Sequence, residues 1–410
     1  MGASSFREVP RLEEFGMGMV SEVREHLTQK IIPFWEGLRD DAYGGYYGYL
    51  SYDLKLDKQA VKGCILNSRI TWFFANAYLL LGDERLLREA RHAYEFLRDV
   101  CYDREFGGVF WSMTYDGQIE DSTKHTYNQA FAIYALSSYY DASGDKQALE
   151  LAYELFDIIE AKCTDEIGYL EAFNREFKPA ENDKLSENGV MADKTMNTLL
   201  HVFEGYTELY RVDHSEKVAK RLRFIMDTFA DKVYNPALHR QEVFFDANYN
   251  TILDLYSYGH DIETAWLMDR GVEILGDKAY MDKMHPITRD LTANVYKVAF
   301  DGRSLSNECD RGVVDTTRVW WVQAETVLGF LNGYEKIPDK KEYLQAAMDE
   351  WEYIRTYIVD PRPGSEWYSE VDINNQPSTV KEIVEPWKCP YHNGRMCFEV
   401  IRRGEALGLD

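Results

Sequence analysis

The feature that most constrains the fold is a motif that recurs about every 60 residues along the chain. Each copy reads as a helix, a short turn, a second helix and then a hairpin rich in glycine, acidic and aromatic residues. The pattern is clearest in ANAYLLLGDERLLREARHAYEFLRDVCYDREFGGVFW and in ALSSYYDASGDKQALELAYELFDIIEAKCTDEIGYLEAF. Together with later copies and the opening stretch EVREHLTQKIIPFWEGLRDDAYGGYYGYLSYD, the chain holds about six such units.

The two helices of a unit differ in hydrophobic pattern. The second helix carries its apolar residues at helical spacing on one face, as in Leu87, Ala90, Ala93, Phe96 and Leu97. The first helix, such as AFAIYALSSYY, is apolar on nearly every side, which is typical of a helix buried on both faces. This alternation predicts an inner ring of helices enclosed by an outer ring. We therefore expect an all-α fold, an (α/α)6 barrel of six helical hairpins.

The chain shows no break in composition that would separate two domains. No proline- or serine-rich linker divides the chain, so we predict one barrel domain over residues 21–410, preceded by residues 1–20 as an N-terminal appendage without a motif. No secretory signal or apolar run of membrane-spanning length is visible. The six cysteines form no CxxC pair, which suits reduced thiols in a cytoplasmic protein. A closed helical barrel has no open sheet edge that demands a partner, so we expect a monomer.

The net charge of −24 narrows the possible partners. Nucleic acid is not expected, because no basic stripe is available to neutralise phosphates, and an anionic membrane surface is excluded for the same reason. The aromatic content of 14%, with 29 Tyr and 9 Trp, suits a protein that stacks flat rings on sugar faces. Large helical cores also consume aromatic residues, so composition leaves both explanations open.

Polar residues on the apolar helices are the candidates for a site, because one mouth of a helical ring gathers them around a central cavity. Arg69 enters the helix GCILNSRITWFF, where a buried guanidinium needs either a carboxylate in a salt bridge or an oxyanionic ligand. Asn197 and His201 are four residues apart in KTMNTLLHVFEGY and share a face. Tyr127 begins the helix of KHTYNQAF. We predict that these four side chains meet at the mouth.

Two further helices combine aromatic and ionisable residues. In SYGHDIETAWLMD, His260 and Glu263 are three residues apart and Trp266 continues the same row. A carboxylate beside an imidazole fixes its tautomer, as a general base requires. In TTRVWWVQAETVLGF, Trp321 and Glu325 share a face, which suits the binding of a sugar. An aromatic core stripe with an exposed glutamate is the alternative explanation of that second pattern.

The segment WKCPYHNGRMCFE, residues 387–399, allows two interpretations. Cys389, His392 and Cys397 could be zinc ligands, but only three are present, at unconventional spacing and without a partner CxxC or HxxxH. A Cys–His nucleophile pair is a weaker possibility. We favour the other interpretation, in which Pro and Tyr place His392 on a turn before the last inner helix. His392 then reaches the mouth beside Trp387 as an acid/base group, and no metal is needed.

Two imidazoles and one arginine, without a phosphate loop, dinucleotide fingerprint or metal cluster, suit proton abstraction next to a carbonyl. The C2 hydrogen of an open-chain aldose is acidified by its aldehyde, and a cationic donor stabilises the resulting enediolate. Reprotonation of C2 on the opposite face gives the epimer, whereas protonation of C1 gives the ketose.

Six segments in order along the chain resemble the N-acylglucosamine 2-epimerase superfamily, and within it the enzymes that epimerise cellobiose. They are IIPFWEGLRDDAYGGYYGYLSYDLKLDK, KGCILNSRITWFF, ADKTMNTLLHVFEGYTELY, SYGHDIETAWLMDR, TRVWWVQAETVLGF and PWKCPYHNGRMC. The resemblance extends from about Ser21 to the C-terminus and implies an (α/α)6 barrel. It also implies that His260 and His392 are the acid/base pair, and that His201, beside Asn197, aids ring opening or holds sugar hydroxyls.

The same resemblance assigns the other residues. It implies that Arg69 faces the reacting C1 and C2 oxygens and that Glu263 orients the sugar or His260. The remaining side chains are expected to shape the sugar subsites: Tyr127, Trp266, Trp321, Glu325 and Trp387. The implied reaction is C2 epimerisation of the reducing-end glucose of β-1,4-linked disaccharides such as cellobiose and lactose, or of cello-oligosaccharides, without metal or nucleotide cofactor.

Three other functions remain open from the sequence. A monosaccharide 2-epimerase or an aldose–ketose isomerase would use the same chemistry on a smaller sugar. An inverting glycosidase on the same barrel would need two carboxylates flanking the scissile bond. A non-catalytic sugar- or protein-binding barrel would bind without turnover.

Overall fold

The computed structural model describes residues 12–185 and 188–407, and thirteen α-helices occupy most of that part of the chain. The helices are α1 (Leu12–His26), α2 (Ile32–Glu36), α3 (Cys64–Leu81), α4 (Glu84–Phe96), α5 (Thr126–Ser143), α6 (Lys146–Lys162), α7 (Met196–Asp213), α8 (Glu216–Thr228), α9 (Tyr258–Leu275), α10 (Lys278–Val298), α11 (Trp320–Lys336), α12 (Lys341–Tyr353) and α13 (His392–Leu407). Four π-helical turns extend outer helices: Leu27–Ile31, Leu97–Cys101, Phe229–Val233 and Ile354–Ile358.

The odd-numbered helices from α3 to α13 form the inner ring. Each contacts the next, and α13 returns to α3, so the ring is closed. The outer ring consists of α1 with α2, then α4, α6, α8, α10 and α12. Apart from the short α2, each of these helices packs against an inner helix. The predicted (α/α)6 barrel is confirmed. None of the described helices is both long and apolar enough to cross a bilayer.

The two rings bury their residues as the hydrophobic pattern predicted. Every residue of α5 from Thr126 to Tyr139 is buried, whereas α4 buries only one face. The inner helices also approach one another closely. A Cβ atom added to Gly205 of α7 would lie 2.6 Å from the backbone oxygen of Ala130 in α5, so glycine is needed where these two helices touch.

Short antiparallel strands surround one end of the barrel. They are β1 (Lys62–Gly63), β2 (Ser112–Met113), β3 (Ile119–Asp121), β4 (Lys124–His125), β5 (Ala172–Phe173), β6 (Lys194–Thr195), β7 (Tyr234–Asn235), β8 (Arg240–Gln241), β9 (Phe244–Phe245), β10 (Leu255–Ser257), β11 (Glu308–Asp310), β12 (Val313–Asp315), β13 (Arg318–Val319) and β14 (Glu370–Val371). The strand before an inner helix pairs with a strand after the next outer helix, as β1 with β2, β4 with β5, β6 with β9, β10 with β11 and β13 with β14. This pairing holds the N-terminal ends of the inner helices around one mouth.

A turn after each outer helix repeats the same hydrogen bonds. A side-chain oxygen accepts from backbone N–H groups two or three residues ahead at Asp40, Asp103, Asp165, Asn235, Asp301 and Asp360. The second oxygen of Asp40 accepts from buried Lys62, two residues before α3, at 2.6 Å. Lys124, Lys194 and Arg318 repeat that pairing. The turn after α8 has the neutral residue Asn235 in place of the acid. Tyr256, two residues before α9, stands where these other units have the cation.

The predicted N-terminal appendage lies partly outside the described residues, which begin at position 12. Helix α1 runs through position 20, and the buried side chains Met19 and Val20 belong to the main hydrophobic core. The division of the chain at residue 20 stays a prediction.

Candidate active site

A cavity of about 420 Å³ opens at the mouth of the barrel, where the inner helices begin. Most of the side chains that the sequence predicted for a site line it: Arg69, Tyr127, Asn197, His201, His260, Glu263, Trp321, Trp387 and His392. They come from all six inner helices or the segments just before them, so the ring closure brings together residues more than 300 positions apart.

His392 is the first residue of α13, and its Nδ1 donates to Oε1 of Glu325 at 2.7 Å. This contact leaves Nε2 as the ring nitrogen available to the cavity. Burial, together with the cations of Arg395 and Arg69, holds the pKa of His392 well below its usual range. The imidazole is therefore neutral and can accept a proton.

His260 lies in the first turn of α9, and its Nδ1 is 2.7 Å from Oγ of Ser257. Burial lowers the pKa of His260 to about 3, helped by the neighbouring imidazoles His201 and His392. The ring of Trp321 contacts both proposed bases, with centroids 4.7 Å from His260 and 5.4 Å from His392. The two imidazoles thus flank one indole at the same cavity.

The predicted contact between Glu263 and His260 is wrong. Ser257, just before α9, reaches Nδ1 of His260, whereas Oε1 of Glu263 accepts from Arg395 at 2.6 Å. The three-residue spacing does place Glu263 and His260 on one face. However, the carboxylate lies one turn deeper, where the buried guanidinium attracts it more strongly than a neutral ring does. The alternative role of Glu263, orientation of the sugar, stays a prediction.

Arg69 is buried and donates to the hydroxyl of Tyr127 at 2.8 Å. Its guanidinium lies over the ring of Phe131, 4.1 Å from the centroid. Among the described residues it takes part in no ion pair with a carboxylate within 4 Å, so the internal salt bridge is not its explanation. An unbalanced cation at the cavity wall suits an oxyanion that forms during the reaction.

His201 and Asn197 of α7 face the cavity together, as their four-residue spacing predicted. Nδ1 of His201 donates to Oε2 of Glu204 at 2.8 Å, and its ring meets Tyr127 edge-on at 5.0 Å. Burial lowers the pKa of His201. Oδ1 of Asn197 is shielded from solvent and has no hydrogen-bond partner among the described residues, which leaves it free for a sugar hydroxyl.

Trp266 and Glu325 do not line the cavity, contrary to their predicted role in sugar binding. Both are buried behind it, and Nε1 of Trp266 donates to Oε2 of Glu325 at 2.8 Å. The reason is depth: each lies more than one turn from the start of its helix, whereas Trp321, at the start of α11, reaches the opening. Glu325 thus accepts from His392 with one oxygen and from Trp266 with the other.

Arg395, the centre of this polar network, is not among the residues that the sequence predicted for the site. Its guanidinium donates to Glu204 and Tyr391 from one nitrogen, and to Glu263 and Glu325 at 2.6 and 2.7 Å from the other. Arg395 and Glu204 each follow a predicted site histidine by three residues, which is the signal that could have identified them.

Ligand atoms of Glu263, Glu325 and His392 lie within 4.8 Å of one another, which is close enough to share a metal ion. The guanidinium of Arg395 already donates to both carboxylates, so this site holds a fixed protein cation between them. Among the described residues, no cysteine joins such a ligand group. The zinc interpretation of the segment around His392 therefore gains no support from the geometry.

The outer part of the cavity is polar, which suits hydroxyl-rich ligands. Its rim includes Lys184, Asn188, Glu308, Glu370, Lys381, Glu382 and Glu385. Nδ2 of Asn188 donates to Glu308 at 3.0 Å and so connects two loops over the mouth. Trp387 meets Trp111 edge-on at 5.5 Å and forms an aromatic wall between the rim and the histidines.

Comparison with known proteins gives consistent results. Residues 44–394 match the family described as N-acylglucosamine 2-epimerase (GlcNAc 2-epimerase). A cellobiose 2-epimerase from Ruminococcus albus is 55% identical over 94% of this chain and 99% of its own length. The crystal structure of a sugar epimerase from a ruminal bacterium superposes with a TM-score of 0.93 at 54% identity, covering 94% of this chain and 99% of that one. A cellobiose 2-epimerase from Bacillus thermoamylovorans B4167 gives a TM-score of 0.90 at 43% identity, with the same coverage.

Proposed function

The chain belongs to the N-acylglucosamine 2-epimerase family, and from that premise we propose that it is an isomerase that inverts C2 of the reducing-end glucose in β-1,4-linked disaccharides. Cellobiose becomes glucosyl-mannose and lactose becomes epilactose. The substrate range is proposed from the relatives of known activity and from the polar rim, which offers room for a second sugar beyond the histidines.

One observation carries the proposal: His260 and His392, from distant parts of the chain, flank Trp321 at one cavity. One neutral imidazole takes the C2 proton of the open-chain sugar, and the electron pair forms a cis-enediolate whose charge lies near Arg69. The other imidazole must carry a proton, which it takes up from solvent. The enediolate favours this, because an anion beside the rings raises their pKa. After rotation about C2–C3, that proton goes to the opposite face of C2.

His201 is assigned to the opening of the sugar ring. Nδ1–H of His201 is held by Glu204, so its Nε2 is free to exchange a proton with a sugar oxygen. Neither step requires a metal or nucleotide in this proposal. The barrel over residues 21–410 is proposed to act as one catalytic domain, because α13 returns to α3 and closes the ring. A monomer in the cytoplasm is proposed with it, and the free thiols of all six cysteines are in keeping with that compartment.

Incubation with cellobiose in D2O, followed by proton NMR, tests the reaction. We expect deuterium at C2 of a newly formed mannose residue, because solvent deuterons equilibrate with the histidines. Release of glucose without a mannose-containing product would identify a glycosidase instead, and binding without turnover would identify a non-catalytic barrel. Parallel incubations with N-acetylglucosamine and mannose distinguish the monosaccharide-specific alternatives.

The variants His260→Asn and His392→Asn should each lower the rate of deuterium incorporation by at least about a hundredfold, because each removes an acid/base group. His214→Asn is the matched control. His214 is exposed and caps α7 just after its last residue, with a φ of 51°, so it occupies a left-handed position that asparagine adopts readily. Wild-type rates in either site variant would refute the assignment.

A further inference from the structure

Three buried carboxylates share one arginine beneath the cavity. Glu204, Glu263 and Glu325 all accept from Arg395, and each is almost completely buried. Acceptor oxygens of Glu263 and Glu325 lie within 4.8 Å of each other. A single guanidinium balances only one of three buried negative charges, which favours a proton on at least one of the three acids.

Glu204 has the donors that an ionised carboxylate needs. Its Oε1 accepts from Arg395, and its Oε2 accepts from the hydroxyl of Tyr391 at 2.6 Å and from Nδ1 of His201 at 2.8 Å. Burial raises the pKa of this acid, but Arg395 and His201 outweigh burial and lower it to about 2. Glu204 therefore carries a negative charge.

Glu325 is almost as well supplied. Its Oε1 accepts from His392 and Arg395, both at 2.7 Å, and its Oε2 accepts from Nε1 of Trp266 at 2.8 Å. Glu263 differs, because Oε1 accepts only from Arg395 and Oε2 is buried without any hydrogen-bond partner among the described residues. By this comparison the proton belongs on Glu263.

We propose that Glu263 works as a neutral carboxylic acid, whose Oε2 hydrogen points into the cavity and donates a hydrogen bond to a substrate oxygen. The inference rests on the proposed function and assigns one residue of that site. Burial, and next the charge of Glu325, raise the pKa of Glu263 well above its usual range. A neutral donor also suits the chemistry, because a carboxylate in this place would repel the enediolate.

The groups around Glu263 predict how the kcat/KM of the protein depends on pH. The titratable and charged groups around it are Arg395 and His392 from α13, Glu325 from α11, Glu204 from α7, Tyr127 from α5 and Tyr391 before α13. Loss of the Glu263 proton would add a third negative charge to this cluster and remove the donor. We therefore expect kcat/KM to fall as the pH rises through the pKa of Glu263.

The test compares Glu263→Gln with Glu325→Gln. The amide in Glu263→Gln keeps an acceptor for Arg395 and a donor toward the cavity, so it mimics the neutral acid. We expect this variant to keep turnover of cellobiose within about tenfold of wild type and to lose the alkaline decline in kcat/KM. Glu325→Gln removes the charge that orients His392 and should lose at least about a hundredfold.

Two results would overturn the inference. One is a folded Glu263→Gln variant, with wild-type circular dichroism and melting temperature, that is as inactive as Glu325→Gln. The other is an infrared difference spectrum between wild type and Glu263→Gln that lacks a carboxylic acid carbonyl band at neutral pH. The infrared measurement needs no substrate. It therefore decides the protonation state even if cellobiose is not turned over, a result that would count against the proposed function alone.

Discussion

Arg69 is the one buried cation lining the cavity whose charge no carboxylate of the described chain balances within 4 Å. Its position between Tyr127 and the ring of Phe131 fixes the guanidinium before substrate binds. We expect Arg69→Met to lower kcat/KM by about 10²–10³, equivalent to about 3–4 kcal/mol of transition-state stabilisation. Arg69→Lys should recover part of this loss, because it keeps the charge without the planar fork.

Initial rates of C2 exchange measure this loss. Arg88→Met is the control, because Arg88 is exposed on α4, outside the cavity. Near wild-type kcat/KM in Arg69→Met would show that another group stabilises the intermediate. A large change in melting temperature would instead indicate that Arg69 acts through packing.

Individual site residues could be predicted from the sequence because a polar side chain on an apolar helix is conspicuous. The hydrogen-bond partners of these residues could not be predicted in the same way. Spacing places His260 and Glu263 on one face, but it does not reveal that Ser257 captures the imidazole and Arg395 the carboxylate. The acidic partners of Arg395 come from three other helices, between 70 and 191 positions away, so no local pattern contains that network.

Among the elements, the helical hairpins were predictable because each forms from neighbouring residues, whereas the strand pairs around the mouth were not. Strand β1 pairs with β2 across the whole of α3 and α4, with Lys62 opposite Met113, and a two-residue strand has too short a pattern to be recognised. What marks the strands before α3, α5, α7 and α11 is a buried cation two residues before the helix, whose acidic partner lies in the preceding turn.

The pairing of Lys62 with Asp40 gives a prediction for that repeated turn. Lys62→Met leaves the carboxylate of Asp40 buried without its cation, so we expect the free energy of unfolding to fall by about 3–5 kcal/mol. The double variant Asp40→Asn with Lys62→Tyr introduces the two neutral residue types that stand at positions 235 and 256, after α8 and before α9. It should recover most of that loss.

Denaturant unfolding of the wild type, the single variant and the double variant measures these differences. Equal destabilisation in the single and double variants would mean that the turn at Asn235 is stabilised by its other contacts, such as those of Asn235 with Glu242 and of Tyr256 with Asn294.

At the scale of the whole molecule, the barrel was predictable from the six helical hairpins. Each hairpin has one helix that is apolar on nearly every side, and few arrangements bury both faces of all six of these helices. How the ring closes depends on contacts between the two ends of the chain. Near its N-terminus, Gly394 of α13 packs on Phe73 of α3, where an added Cβ atom would lie 2.5 Å from the ring. The same helix begins with His392, so the contact that closes the ring also positions the second of the two proposed bases.

A substitution at the C-terminal end of α13 can show whether the contact that closes the ring affects stability without affecting catalysis. A Cβ atom on Gly404 would lie 2.3 Å from Cγ2 of Val20 in α1, so Gly404→Ala should force the two helices apart and lower the free energy of unfolding by about 1–3 kcal/mol. Gly18→Ala, in α1, is the matched control: an added Cβ atom would have no atom within 4 Å, and alanine should stabilise that helix by about 0.5–1 kcal/mol. Because Gly404 lies far along α13 from the mouth, kcat on cellobiose should stay unchanged, while hydrogen exchange in α1 accelerates. A fall in kcat with unaltered exchange in α1 would contradict this and would mean that the position of α13 couples the two ends of the barrel.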